Sequence, residues 1–309
     1  MNRRPVLTAH IAAIVGSVLV GAAVVATRSI VDDIQPFGLA FLRYVQGAIV
    51  LFVVLAMRRP ESIRLGRSDL RTFAGLGILM YAIFPVLFNT SLQFTTASRG
   101  AVLLATMPLW SALLARRYGG ERLRSGQALG VIISVTGVAV VFAESGLGYS
   151  GGRDAALGNL LMLSAAFVAG VYGVRIKPVL AEHAALKVTA YAMAIGAVLL
   201  AVPALIEGLP SAMADASVQT LLLVIYLGVA GGALAFWLFS VALTHLAPTQ
   251  AIVYVNLNPV VAILLASIVL DEPLTISFAL GFALVVAGLL LTNLPNRRAR
   301  KNALVSRSG

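Results

Sequence analysis

The chain has 309 residues, 60% of them hydrophobic and only 11% charged, with a mean hydropathy of +0.95. A water-soluble domain of this composition would expose apolar patches far larger than such proteins tolerate, so the sequence reads as an integral membrane protein. The net charge of +11 would suggest nucleic acid in a soluble protein, but here the cations cluster between apolar runs, and with no cysteine, disulfides and thiolate metal sites are excluded.

A bilayer-crossing helix needs about 20 largely apolar residues. Ten such stretches follow in order: 9–27, 36–56, 72–92, 97–115, 126–143, 157–174, 188–206, 218–240, 248–269 and 275–293. The connectors carry turn and charge signals, among them "DDIQP" after the first stretch, "RRPESIRLGRSD" after the second, "RRYGGERLR" after the fourth and "DEP" after the ninth. No soluble domain remains, so function must sit within the bundle.

Placing the N-terminus in the cytoplasm puts nineteen of the 23 Lys and Arg residues on that side and only Arg28, Arg99 and Arg153 outside, with Arg43 inside the second span. This bias predicts that both termini are cytoplasmic. "MNRR" before an apolar run also resembles a signal peptide. No small-x-small cleavage site ends that run, however, and removing one span would invert every later loop against the charge bias.

Shifted by 151 positions, the segment beginning at Leu92 lies without a gap over the one beginning at Leu243. Pro108 then meets Pro259, Glu121 meets Glu272 and Gly137 meets Gly288, while Leu76 and Gly77 meet Leu227 and Gly228. With a slip of two residues, Gly47 meets Gly196 and Gly21 meets Gly170. The expected fold is therefore an all-α membrane protein of ten transmembrane helices in two five-helix repeats, residues 1–144 and 153–295, followed by a basic cytoplasmic tail at 296–309. Because five is odd, the repeats must run in opposite senses. Such inverted repeats are characteristic of secondary transporters, whose two related conformations open one central site to either face in turn.

"LAFLRYVQGAIV" in the second span, "TTASRGAVLLATMPLWSALLARRYGGERL" through the fourth and "APTQAIVYVNLNPVVAILLASIVLDEPLT" through the ninth resemble EamA-type permeases of the drug/metabolite transporter superfamily. The resemblance covers nearly the whole chain. It implies a bacterial inner-membrane exporter or facilitator of small metabolites, often amino acids. It also implies a pocket lined by the first, third, fourth, sixth, eighth and ninth helices.

Pro85, Pro108 and Pro259 each interrupt the hydrogen-bond ladder of a span and are candidate hinges, or packing kinks. On the ninth helix Gln250, Tyr254 and Asn258 recur every four residues and share a face, which marks them as candidate substrate contacts, whereas Asn256 points nearly the other way and suits an interhelical bond. The fourth helix offers Thr106, Met107 and Trp110, and the third offers Tyr81, Phe88 and Asn89, with Phe84 in the same stripe. Core packing is the competing reading of such aromatic stripes. Tyr172 and Trp237 are weaker candidates. Arg43 lies in a span, where a charge costs about 2.5 to 3.5 kcal/mol on insertion scales. It would attract a carboxylate-bearing solute or snorkel to the surface. Arg99, near the outer mouth of the fourth helix, is a candidate gate able to pair with Asp32 or Asp33.

All twelve acidic residues fall in loops or at helix ends. Proton-driven carriers commonly hold a carboxylate at membrane depth. Facilitated diffusion or exchange is thus expected, with a proton-coupled antiporter as the alternative; His10 and His245, near helix ends, are candidate proton carriers, with amphipathic packing at the interface as the competing reading. No nucleophile with a positioned base, no zinc motif and no Walker loop occurs, so neither an enzyme nor an ATP-driven pump is expected, and no cofactor or metal. The expected partners are a small-molecule substrate and the lipid bilayer, with no nucleic acid, in a monomer or homodimer.

Overall fold

The computed structural model describes residues 3–58, 66–107, 109–111, 113–114, 125–146, 152–238, 254 and 257–292. Pro108, Gln250, Asn256, His245, Glu121 and the tail lie outside the described residues. Within them the protein is helical, without strands. The elements are α1 (Arg3–Ile30), α2 (Pro36–Arg58), α3 (Arg67–Gly77), a π-helical stretch π1 (Ile78–Ile83), α4 (Phe84–Phe94), α5 (Ala97–Leu104), α6 (Ser125–Gly146) and α7 (Gly152–Glu182). They continue with α8 (Ala185–Ile206), a short α9 (Leu209–Ala214), α10 (Val218–Ile225), a second π-helical stretch π2 (Tyr226–Leu234), α11 (Leu257–Val269) and α12 (Ile276–Thr292).

Among the described residues six helical runs are long and apolar enough to cross a membrane: Leu7–Ile30, Pro36–Arg58, Asp69–Phe94, Asp154–Glu182, Ala185–Ile206 and Val218–Leu238. Three shorter apolar helices, Leu129–Val141, Leu257–Val269 and Ile276–Gly288, fall within other expected spans. Met57, Ile206, Ile268 and Ile276 are each at least 75% exposed. Together with the many other outward-facing Leu, Ile and Val side chains, they form an apolar surface suited to hydrocarbon.

Among the described residues two spans contain a wide turn. In the third, the Phe84 N–H reaches back five residues to Leu79 O, immediately before Pro85. Proline has no N–H to donate and its ring crowds the preceding turn, so a wider turn ahead of it relieves both problems. In the eighth, the Ala235 N–H reaches Ala230 O. That segment has no proline; it is rich in glycine instead, at Gly228, Gly231 and Gly232. Moved by the 151-residue offset, π1 falls inside π2.

The packing repeats itself under the same offset. Helix α1 packs on π2, and α7 on π1; α1 also packs on α11, in the ninth expected span, and α7 on α5, in the fourth. Helix α2 meets π2, while α8 meets α3 and π1; the pairs α2 with α8 and α6 with α12 join equivalent helices, and α5 with α11 joins the fourth expected span to the ninth. The α6–α12 seam depends on glycine: a Cβ on Gly137 would lie 2.6 Å from Gly281 O and 2.7 Å from Val285 N. Small residues at such crossings let backbones touch, which replaces the hydrophobic drive that lipid removes.

Call the end of the bundle at Ile30, where α1 stops, the far end. Polar groups there are tied across elements. Glu207 accepts from the Phe37 and Gly38 N–H groups at 2.8 and 3.0 Å, capping α2. Glu272 accepts from those of Ala97 and Ser98 at 2.6 and 2.8 Å, capping α5. A carboxylate at a helix N-terminus satisfies orphan donors and meets the positive end of the dipole. Thr220 donates to Asp33 at 2.8 Å, Ser91 to Gly158 O at 2.7 Å and Thr95 to Asn159 at 2.7 Å.

Candidate functional site

Below this tied end, a cavity of about 330 Å³ opens between the helices. Its wall comes from Ser17, Val20 and Val24 of α1, Arg43 and Tyr44 of α2, Met80 of π1, and Phe84 and Phe88 of α4. Leu104 of α5, Met107, Gly231 of π2, Phe236, and Asn258 and Pro259 of α11 complete it. The sites fit their local structure: Met80, Phe84 and Phe88 recur every four residues and so stay on one face. The Phe84 and Phe88 rings stack with centroids 5.7 Å apart.

This lining is apolar apart from a few groups. Arg43 donates through Nη2 to Gly231 O at a long 3.4 Å, and its guanidinium carbon stands 5.8 Å from the centroid of the Tyr44 ring. Its Nε has no partner, nor does Asn258 Oδ1, although both atoms are buried. Such orphaned atoms are uncommon in native interiors because each forgoes solvation without a replacement bond. Both side chains line the cavity.

Of the residues expected to act, Arg43, Phe88, Met107, Asn258 and Pro259 line this cavity. Others stand elsewhere. Tyr81 is fully buried with its ring edge-on to Tyr44 at 5.1 Å and to Tyr172 at 6.3 Å. Asn89 donates to Pro36 O at 2.9 Å, and Thr106 to Leu103 O at 2.6 Å. Trp110 packs edge-on against Phe167 of α7 at 5.5 Å. Tyr254 bonds His10 Nδ1 at 2.7 Å, toward the end of the bundle where α1 begins. Pro85 is buried in the first turn of α4. Arg99 is buried in the first turn of α5; the two carboxylates considered for it are engaged, Asp32 by Arg28 at 3.0 Å and Asp33 by Thr220. Trp237 lies under the Arg58 guanidinium at 5.2 Å.

Sequence reasoning missed Ser17, Tyr44, Met80 and Phe236. The first helix carries no polar stripe that would betray its inner face. Arg43 was the available signal for Tyr44, its neighbour.

A helical protein that crosses a membrane several times around an internal cavity belongs, by architecture, among multi-pass membrane proteins that handle small solutes. The chain is a member of the EamA-like transporter family, which residues 7–143 and 156–294 each match. It is 32% identical over 285 residues to a probable terminal-alkyne amino-acid exporter of Streptantibioticus cattleyicolor, covering 90% of this chain and 91% of that protein. An uncharacterised transporter of Bacillus subtilis, YetK, is 23% identical over 92% of this chain and 86% of its own length. A solved crystal structure at 21% identity superposes with a TM-score of 0.63, covering 96% of this chain and 97% of that one, and so shares the fold. These relatives are named as transporters or an exporter, and the protein is a membrane transporter, not an enzyme.

Proposed function

We propose that the protein is a bacterial inner-membrane exporter or facilitator of small amphiphilic metabolites, amino acids foremost, working by alternating access without an ATPase. The observation that carries this reading is the cavity of about 330 Å³ between tied helix ends, apolar except for Arg43, Asn258 and a few small polar groups. Its size suits a metabolite and its lining suits a molecule with an apolar body and a polar head. The name of the Streptantibioticus relative, an amino-acid exporter, supports the substrate class.

In this reading the matched packing of the two halves expresses a ten-helix bundle of inverted five-helix repeats, 1–144 and 153–295. Both termini are cytoplasmic, as the distribution of Lys and Arg favours. The far end is then periplasmic, and the tied contacts there close the cavity to the outside. Rocking of α1, α4, α7 and π2 against the α2–α8 and α6–α12 pairs would open it, with the wide turns π1 and π2 as the compliant points. Phe88, Met107 and Asn258 contact the solute; Pro85, Pro108 and Pro259 are hinge positions, and Arg99 is a gate.

Counterflow of radiolabelled phenylalanine into proteoliposomes tests this. The intact protein should exchange internal for external amino acid, and Phe88→Ala should lose most of that flux while still inserting. Accumulation only under an imposed proton gradient would replace this reading with antiport; no flux of any amino acid would end it.

A further inference from the structure

Arginine is the most strongly basic side chain and its planar head group has five N–H donors. Arg43 enters α2 seven residues past Pro36, about 10 Å along the helix axis. Two explanations of a charge at such depth are ordinary: an internal ion pair, or a side chain extended to the membrane surface. Neither fits. Among the described residues no carboxylate approaches Arg43: Asp32 pairs with Arg28, Asp33 accepts from Thr220, and Glu207 and Glu272 cap helices. Nor does the head group run to a surface. It turns inward, toward Gly231 O in π2, and forms part of the cavity wall. One bond of 3.4 Å leaves most of its donors unused, Nε included.

Resting on the transporter reading above, we infer that Arg43 reads the charge of the solute: the cavity takes amphiphiles bearing a carboxylate and rejects matched molecules in which that group is an amide or is absent. The carboxylate meets the guanidinium, where a two-pronged, charge-assisted contact is geometrically natural. The apolar body lies against Phe84, Phe88 and Met107. Asn258 Oδ1, without a partner in the same cavity, accepts from an ammonium or other N–H. The repeat supports a directed arrangement, because with the two-residue slip that matches Gly47 to Gly196 the position matching Arg43 in the second half is Ala192, fully buried and uncharged. One wall is cationic and its counterpart is not, so a bound solute has a defined head and tail.

The test uses the full-length protein in proteoliposomes, with competition against labelled phenylalanine by phenylalanine, 3-phenylpropionate, phenylalaninamide and chloride. The inference requires that phenylalanine and 3-phenylpropionate compete while phenylalaninamide and chloride do not. Arg43→Gln should weaken the carboxylates about tenfold or more, with Arg43→Lys recovering part of the loss. Should Arg43→Gln fail to fold, Arg43→Lys still decides, because a point charge without the guanidinium fork should bind carboxylates more weakly while leaving the amide excluded. Equal competition by phenylalanine and its amide, unaffected by either variant, would overturn the charge inference and leave the transporter reading intact. Competition by chloride equal to that of 3-phenylpropionate would also overturn it, since any small anion would then suffice. Absence of flux for every probe would overturn both.

Discussion

The far end of the bundle and its middle treat polar groups in opposite ways. At the far end Glu207 and Glu272 each accept two backbone N–H groups from a distant helix, and Asp33, Ser91 and Thr95 all find partners on another element. In the middle, Arg43 and Asn258 keep buried atoms without any. Membrane interiors penalise unsatisfied groups more than water does, so the contrast separates two roles. Polar side chains bonded across elements hold helices together, with the Ser98 hydroxyl an exception at the far end; of the side chains left incomplete, Arg43 and Asn258 are the two that line the cavity, where a solute can meet them.

Variants at the two regions should therefore divide, with stability lost at one and binding at the other. The largest stability effect is expected for Glu272→Ala, which strips two bonds from buried N–H groups and should lower stability by about 2 to 3 kcal/mol, seen as a fall in the thermal unfolding midpoint at a fixed scan rate. Glu272→Gln, still an acceptor for one of them, should fall between. Thr220→Val removes the bond to Asp33 and should cost about 1 kcal/mol in the same measurement. Tyr254→Phe loses only the hydroxyl bonded to His10, and about 0.6 kcal/mol is typical of such a bond inside a membrane. Asn258→Leu should leave the unfolding midpoint unchanged, because no bond to Oδ1 is lost, yet should weaken phenylalanine binding severalfold in the competition assay. A drop in stability for Asn258→Leu matching that of Glu272→Ala would erase the distinction between the two regions.

Apolar runs and charge clusters foretold the long helices closely; α2, expected at 36–56, spans Pro36–Arg58, and α8, expected at 188–206, spans Ala185–Ile206. The repeat was legible because Pro259 and Glu272 have sequence counterparts at the same offset. Less could be read where the decisive partner is far along the chain. Glu272 stood out in the sequence, but nothing local reveals that it caps a helix starting 175 residues earlier. Asn89 and Trp110 were placed on the correct helices, yet helical spacing fixes a face without saying which neighbour covers it. Asn89 turned to Pro36 O, and Trp110 turned to α7. The wide turns show the same limit. Pro85 signalled one of them, whereas the other rests on three glycines that equally suit close packing.

That pair of wide turns has a consequence for how the protein can vary. A π turn holds one residue more than the α-helix around it needs. Deleting Ile83 alone would let the third span close into ordinary helix without breaking the chain, because the Phe84 N–H and Leu79 O, now five residues apart, would then stand four apart as in any α-helix. Phe84 and Phe88 would keep their places on the cavity wall, whereas the same deletion in regular helix would swing everything beyond it by about 100°. A one-codon deletion there should yield a protein that still reaches the membrane with its chamber intact and only the wide turn gone.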